Sequence, residues 1–355
     1  MRKINGDKAL EAKLTMQEGR EKMPTILGVA KLAGVSVGSV SRVINNNSTV
    51  LPATRERVLQ AIKTLGFQPN SVAQSMRQGS TRAVGCMVTD VSQAVAAQML
   101  SGAEQALAKA NYAVLVTSSH FDMQRELQNI DFFRQRKLDG LLLTITNDED
   151  KSRAELLRRI GIPVVLWERD INGEFDAVIT DHADGAYQAT RYLISLGHSR
   201  ILIVTGHQAT LTGREQERGY CLAYTEAGLT VDDSLLLRTG SFSMTNCAGL
   251  LSPSTRPTAV IANIGDIPMV LKVAKTLRLS VPADLSIISI GETDLMEVLR
   301  PSITVVRGNG FEVGRTAAQM LLNLFGKTNN TVKQKVVFPA ELVVRESCTI
   351  VKTPA

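Results

Sequence analysis

From Thr81 onward the chain alternates short apolar runs with amphipathic stretches of helical length, and this alternation constrains the fold more than any other feature. The runs are AVGCMV (83–88), YAVLV (112–116), GLLLT (140–144), IPVVLW (162–167), AVIT (177–180), RILIV (200–204), TAVIA (258–262) and LSIISI (285–290). Between them, segments such as 100–110, 122–135 and 183–196 read as helices. Strand and helix in alternation predict right-handed βαβ units and parallel sheets. Eight strands are many for one open sheet, so the pattern predicts two similar α/β lobes. A ligand in such an architecture binds beyond the carboxyl ends of the strands. That places it in the cleft between the lobes.

Upstream of Thr81 the texture is helical. Val29, Ala30, Ala33, Val35, Val40 and Val43 are spaced to give two short helices one apolar face, with Gly34 at the turn between them. Two helices joined by a short glycine-containing turn form the helix-turn-helix pattern. The second helix of such a unit fits the DNA major groove. Thr25 is placed to cap a helix over about 26–33, and Ser36 one over about 37–44. Asn45-Asn46-Asn47 ends the second with residues that tolerate turn geometry. Pro52 opens a third helix, about 53–64, where its missing N–H costs nothing. Val58, Leu59, Ile62 and Leu65 are expected to face inward there, and Gly66 to stop the helix. Residues 1–22 are polar and charged; they read as a disordered arm, or as an artefact of start-codon choice, since Met23 begins the structured module.

Charge is segregated along the chain. Residues 1–82 hold 13 Lys and Arg against 5 Asp and Glu, whereas the rest holds 27 against 29. A basic module suits phosphate neutralisation, because released counterions drive binding to nucleic acid. On charge alone a solvated basic face would serve as well; with the helix-turn-helix pattern, DNA is the better reading. No apolar stretch is long enough for a membrane span, and no apolar core follows the N-terminal basic residues, so neither a span nor a secretory signal is expected. The four cysteines, Cys86, Cys221, Cys247 and Cys348, show no metal-ligand spacing and read as reduced core thiols. No metal or cofactor is expected. Asp181 and His198 lack a partnered nucleophile at any recognisable spacing, and neither a P-loop nor a GxSxG motif occurs, so no catalytic residue is expected.

These residues carry a family resemblance. AGVSVGSVSRVIN (33–45) and TRERVLQAIKTLGFQPNSVAQSMR (54–77) resemble the helix-turn-helix, third helix and hinge of the lactose/galactose repressor family of bacterial transcription regulators. GIPVVLWER (161–169), DHADGAYQATRYLISLGHSRI (181–201), LRPSIT (299–304), EVGRTAAQMLL (312–322) and PAELVVRES (339–347) extend the match to nearly the whole chain. The resemblance implies an all-α helix-turn-helix headpiece (24–69), a hinge (70–80) and a two-lobed α/β core of periplasmic-binding-protein type with parallel sheets (81–348), with 349–355 as a tail. Lobe 1 is expected over about 81–179 and 308–337, and lobe 2 over about 180–307 and 338–348. It also implies a cytoplasmic, nucleoid-associated homodimer on a pseudo-palindromic double-stranded operator, whose affinity a small-molecule effector controls.

Residue by residue, the resemblance puts Val37, Gly38 and Arg42 toward base edges. Arg42 can pair with guanine O6 and N7, or contact phosphate instead. Val37 can touch a thymine methyl, and the bare Gly38 suggests close backbone approach. Thr25, Ser36, Ser39, Ser41, Asn45 and Thr54 are phosphate-contact candidates. Gly28 stands where the family usually has an acidic residue. In the hinge, Asn70 can cap a short helix through Val72, Ala73 and Met76 that by resemblance folds on DNA, with Met76 replacing the usual Leu wedge in the minor groove and Asn70, Ala73, Met76 and Arg77 as DNA contacts; a flexible linker with a buried Met is the other reading. Effector contacts fall on Thr89, Asp90, Val95, Glu168, Arg214, Gln216, Asn263, Gly291 and Glu292. Gln216 stands where Arg is usual, Gly291 and Ile264 where Asp is usual, and Val95 and Ala96 near aromatic positions. The pocket is therefore polar without being an ordinary hexose site. A sugar derivative or sugar acid is expected, with a phosphorylated or nucleoside-like ligand left open.

Overall fold

The computed structural model describes residues 24–45, 47–68, 79–238, 243–252, 256–326 and 332–351. The expected arm and the hinge contacts Asn70, Ala73, Met76 and Arg77 lie outside them. The chain divides into two compact units, one ending at Gly79 and one beginning at Ser80.

The first unit contains α1 (Ile26–Ala33), α2 (Val37–Ile44) and α3 (Pro52–Leu65). The Thr25 side chain caps α1 by accepting from Gly28 N, and Ser36 caps α2 by accepting from Ser39 N. Gly34 follows α1 in the left-handed conformation, at φ 64°. Val35 N donates to Ala30 O and Gly34 N to Lys31 O, which satisfies carbonyls that the helix end would otherwise strand. The turn sets α1 and α2 at 104° to each other. Val29, Ala30, Ala33, Val40, Val43, Val58, Ala61 and Phe67 close a small core between the three helices. Leu59 and Leu65, expected inside, are instead 52% and 36% exposed. On α3 the buried stripe runs through Val58 and Ala61, with Ile62 beside it, so Leu59 falls at its edge and stays exposed.

The second unit contains two six-stranded sheets. Its elements are β1 (Ala83–Val88), α4 (Ala94–Lys109), β2 (Ala113–Ser118), α5 (Met123–Gln135), β3 (Gly140–Leu143), α6 (Lys151–Arg159), β4 (Val164–Trp167), β5 (Asp176–Thr180), α7 (His182–Ser195), β6 (Ile201–Thr205), α8 (Leu211–Glu226) and β7 (Leu236–Arg238). There follow α9 (Met244–Leu251), β8 (Ala259–Asn263), α10 (Ile267–Thr276), β9 (Ser286–Ile290), α11 (Asp294–Val298), β10 (Thr304–Arg307), α12 (Gly310–Leu324), β11 (Lys335–Phe338) and β12 (Glu341–Val343). Lobe 1 has strand order β11-β5-β4-β3-β1-β2, and lobe 2 has β12-β10-β9-β8-β6-β7. All pairings are parallel except β10 with β12. All eight apolar runs are strands. The inner ones are buried on both faces, as parallel strands covered by helices must be. The runs missed from sequence, β7, β10, β11 and β12, are three or four residues long and each contain a charged residue, and β7, β11 and β12 lie at sheet edges where a strand need not be apolar throughout.

Helix α12 returns to lobe 1 after the chain has built lobe 2, and it packs on α4 through reciprocal glycines. A Cβ at Gly102 would sit 2.0 Å from the Phe311 carbonyl oxygen, and one at Gly314 1.8 Å from that of Met99. Val313, Ala317, Ala318 and Leu321 then cover Val165, Trp167 and Val178 of the sheet. Because backbone meets backbone there, Gly314→Ala has no side chain to push aside. We expect it to cost the core about 3 kcal/mol, measured by thermal or denaturant unfolding, whereas Gly249→Ala, with open space around it, leaves stability within about 1 kcal/mol of wild type.

Candidate nucleic-acid interface and ligand cleft

Helix α2 has two faces. Val40 and Val43 are buried in the three-helix core, while Val37, Gly38, Arg42 and Asn45 are exposed and Ser41 is half-buried beside them. The Arg42 guanidinium lies back along the helix, with Nη2 3.9 Å from where a Gly38 Cβ would stand. Missing side-chain bulk at Gly38 therefore leaves the exposed strip open to the i+4 arginine. Lys31, Arg42, Arg55, Arg57 and Lys63 face a single acid, Glu56, over residues 24–68. The hydroxyls of Thr25 and Ser36 accept cap hydrogen bonds, so each O–H is not spent on the cap itself. Ser36 and Ser39 are 3.0 Å apart through their hydroxyls, and Asn45 Nδ2 reaches Ser41 Oγ at 3.5 Å. Thr54 is half-buried in the first turn of α3.

In the second unit, the loops after the strands of both sheets meet in a cleft. Glu168, at the end of β4, is buried, and its backbone is left-handed at φ 55°. A non-glycine residue held there costs of order 1–3 kcal/mol, an expense that persists where the surroundings fix the side chain. Thr180 Oγ1 donates to its Oε1 at 2.8 Å, Thr180 N to Oε2 at 3.2 Å, and His182 Nε2 lies 2.5 Å from Oε2. Burial, the largest single effect, pushes the Glu168 carboxyl up, but the His182 charge and these hydrogen bonds together hold it below its ordinary range. Arg169 is buried beside it and donates to the carbonyls of Ile145 and Glu168 and to Thr212 Oγ1. Burial lowers the proton affinity of its guanidinium, and the carboxylates of Asp148, Glu168 and Glu126 offset part of this.

On the lobe 2 side, Gln216 and Asn263 are directly bonded, Nε2 to Oδ1 at 2.9 Å. Gln216 Oε1 also accepts from Gly206 N, and Asn263 Nδ2 donates to Val204 O. The two amides thus orient each other and hold their rotamers. Gly291 faces Ile264 and Val95; a Cβ there would stand 3.2 Å from Ile264 Cγ2 and 3.7 Å from Val95 Cγ2. Beside the bonded amides, an apolar contact therefore joins Val95 of lobe 1 to Ile264 and Gly291 of lobe 2. Arg214 pairs with Asp148, and Glu292 with Arg307 and Arg345. Thr89 is buried, and its carbonyl accepts from His120 N. Asp90 lies 3.7 Å from His120 and accepts from Ser92 N, which lowers its pKa. Asp181 and His198 serve the scaffold. Asp181 caps α7, and His198 sits between Thr258 Oγ1 and Thr349 O.

Sequence reading missed Asp148, Arg169, His182, Thr212 and Asp266. Arg169 and His182 lie inside segments that carried the resemblance, but their roles depend on contacts across the cleft. Asp266, three residues past Asn263, is half-buried, and its side chain makes no cap hydrogen bond to α10. Burial raises its carboxyl to about 6, from 3.8. A raised acid pKa favours the protonated form in the fold, so this group costs stability as pH rises past 3.8 and costs most above about 6. Asp266→Asn should match wild type at about pH 3 and exceed it by about 1–3 kcal/mol at neutral pH. Unfolding midpoints across pH check this, and a difference independent of pH contradicts it.

Comparison with known proteins agrees with this geometry. A family model described as bacterial regulatory proteins of the lacI family matches residues 25–70, and one described as a periplasmic binding protein-like domain matches residues 190–348. The HTH-type transcriptional regulator DegA of Bacillus subtilis strain 168 is 30% identical over 341 residues, 93% of this chain and 99% of its own. The HTH-type transcriptional repressor PurR of Aliivibrio salmonicida strain LFI1238 is 30% identical over 333 residues, 92% of this chain and 99% of its own. Among solved structures, the transcriptional regulator CelR in complex with cellobiose superposes with a TM-score of 0.67 at 29% identity, covering 91% of this chain and 99% of that one. With a helix-turn-helix unit, a two-lobed parallel core and relatives that match from end to end, the chain belongs to the LacI family of bacterial transcription regulators.

Proposed function

We propose that this regulator is a repressor that binds a pseudo-palindromic operator as a homodimer in the cytoplasm and releases or grips it according to a small molecule held between its lobes. The observation that carries the reading is the exposed strip Val37, Gly38, Arg42 and Asn45, opposite the buried Val40 and Val43. Arg42 reads a guanine, Val37 packs against a thymine methyl, and Gly38 lets the backbone come close. Thr25, Ser36, Ser39, Ser41 and Thr54 anchor phosphates and fix register. Asn70, Ala73, Met76 and Arg77 act in the minor groove, with Met76 as the wedge. The repressor name of the PurR relative, at 30% identity, supports the direction of control.

The effector is a hydroxyl-rich small molecule of the sugar, sugar-derivative or sugar-acid class. Glu168, Gln216 and Asn263 supply paired acceptors and donors for hydroxyls, and Val95, Ile264 and Gly291 supply apolar surface for a ring face. Thr89, Asp90 and Glu292 border this space. The CelR relative was solved with cellobiose, which supports a carbohydrate class.

Arg42→Ala should relax base preference by about 1–3 kcal/mol at one operator position while leaving nonspecific binding nearly unchanged. Mobility shift at several salt concentrations separates the two. Equal loss on random and specific DNA means that Arg42 contacts phosphate alone, and failure of the wild type to prefer any site ends the repressor reading. For the effector, a thermal-shift screen of sugars and sugar acids should find a ligand that adds about 2.7 kcal/mol at 100 times its dissociation constant.

A further inference from the structure

Arg214 stood among the residues expected to hold the effector, but its geometry gives it another task. Its Nη2 donates to Asp148 Oδ1 at 2.7 Å, and its Nη1 to Gln208 O at 3.2 Å. The Asp148 side chain is wholly buried, while that of Arg214 is 28% exposed. The second oxygen of Asp148 accepts from Leu211 N at 2.7 Å, and Asp148 N donates to Ala209 O at 3.1 Å. Asp148 belongs to the loop after β3, in lobe 1. Residues 209–214 lead into α8, in lobe 2. Thus one lobe 1 carboxylate sits on the first turn of a sixteen-residue lobe 2 helix, gripped by a backbone N–H and a guanidinium.

Burying a carboxylate is unfavourable unless charge-assisted partners replace its water. Here both side-chain oxygens take their partners from the opposite lobe, and the helix N-terminus favours negative charge at the same spot. Parting the lobes would remove these partners together. Arg169 adds a bond in the same direction, Nη1 to Thr212 Oγ1 at 3.2 Å, and Thr212 Oγ1 reaches Glu168 O at 3.4 Å. The contacts form one strip along residues 209–214.

We propose that Asp148 and Arg214 form an inter-lobe clasp that holds the core closed through the protein's own groups, so that closure needs no effector to bridge the lobes. This rests on the reading of the core as an effector-controlled regulator. Arg214 is then a positioning residue, and its positive charge is already committed. Glu149 Oε1 also lies 3.6 Å from Arg214 Nε, so an acidic effector gains that charge only by displacing these carboxylates, and a neutral one leaves the clasp in place. The effector shifts DNA affinity by its different fit to clasped and unclasped states, as linkage requires.

Hydrogen–deuterium exchange on the full-length protein without added ligand tests the clasp. In the wild type the Leu211 amide exchanges slowly. Asp148→Ala and Arg214→Ala each accelerate exchange across residues 209–212 by about tenfold or more, and the double variant is no faster than the faster single variant, because one interaction is lost in all three. The amides of β8 stay at wild-type rates and report an intact fold. Effects that multiply in the double variant overturn the proposal, as does a wild-type Leu211 amide that exchanges like an open loop. Should Asp148→Ala fail to fold, the wild-type measurement and Arg214→Ala, at a partly exposed side chain, decide alone. Operator binding is measured in parallel. A clasp that behaves as described in a protein without operator preference counts against the regulator reading and leaves the clasp standing.

Discussion

A buried carboxylate must be compensated, and at Asp148 the compensation comes from the other lobe. Much of the cleft follows from this requirement. Loops after β3 and β4 reach toward the start of α8, and the contacts among Asp148, Arg169, Thr212 and Arg214 fix the separation of the two sheets at that edge. Glu168 lies on the same side, held by Thr180 and by His182 at the start of α7. These polar groups therefore form a connected network across the lobes, and polar networks of this kind are stable only when nearly every member is satisfied.

The contact around Gly291 has a different logic. Gly291, Ile264 and Val95 bring small and branched apolar groups together where a polar residue would need a partner. Asn263, the residue before Ile264, is bonded to Gln216. A ligand with both hydroxyls and a ring face matches such a surface, since its polar edge can exchange bonds with the amides while its flat face displaces water from the apolar side.

The architecture was legible in the sequence wherever the repeating pattern was long. The inner apolar runs became strands because parallel strands buried on both faces are apolar throughout, and no helix period competes with that signal; the edge strand β2 is only partly buried but equally apolar in sequence. The helix-turn-helix was legible down to its caps, since Thr25, Ser36, Pro52 and Gly66 act through local backbone geometry that sequence spacing records directly. Leu59 and Leu65 misled because a leucine at the edge of a helical stripe reads as buried unless the distance to the neighbouring helix is known. The cleft was legible only in part. Gln216 and Asn263 could be named by resemblance, but their mutual hydrogen bond could not. Asp148 carried no signal at all, because its partners lie more than sixty residues away in the chain.

The late arrival of α12 has a consequence for synthesis on the ribosome. Val165, Trp167 and Val178 form the face of the lobe 1 sheet that Val313, Ala317 and Leu321 cover. Until Leu321 has left the exit tunnel, that face has no lid, although every strand from β1 to β5 is already made. During this interval the nascent lobe displays an apolar surface that invites chaperones or misassociation. Chain order therefore makes the first lobe to be translated the one that waits for its final cover.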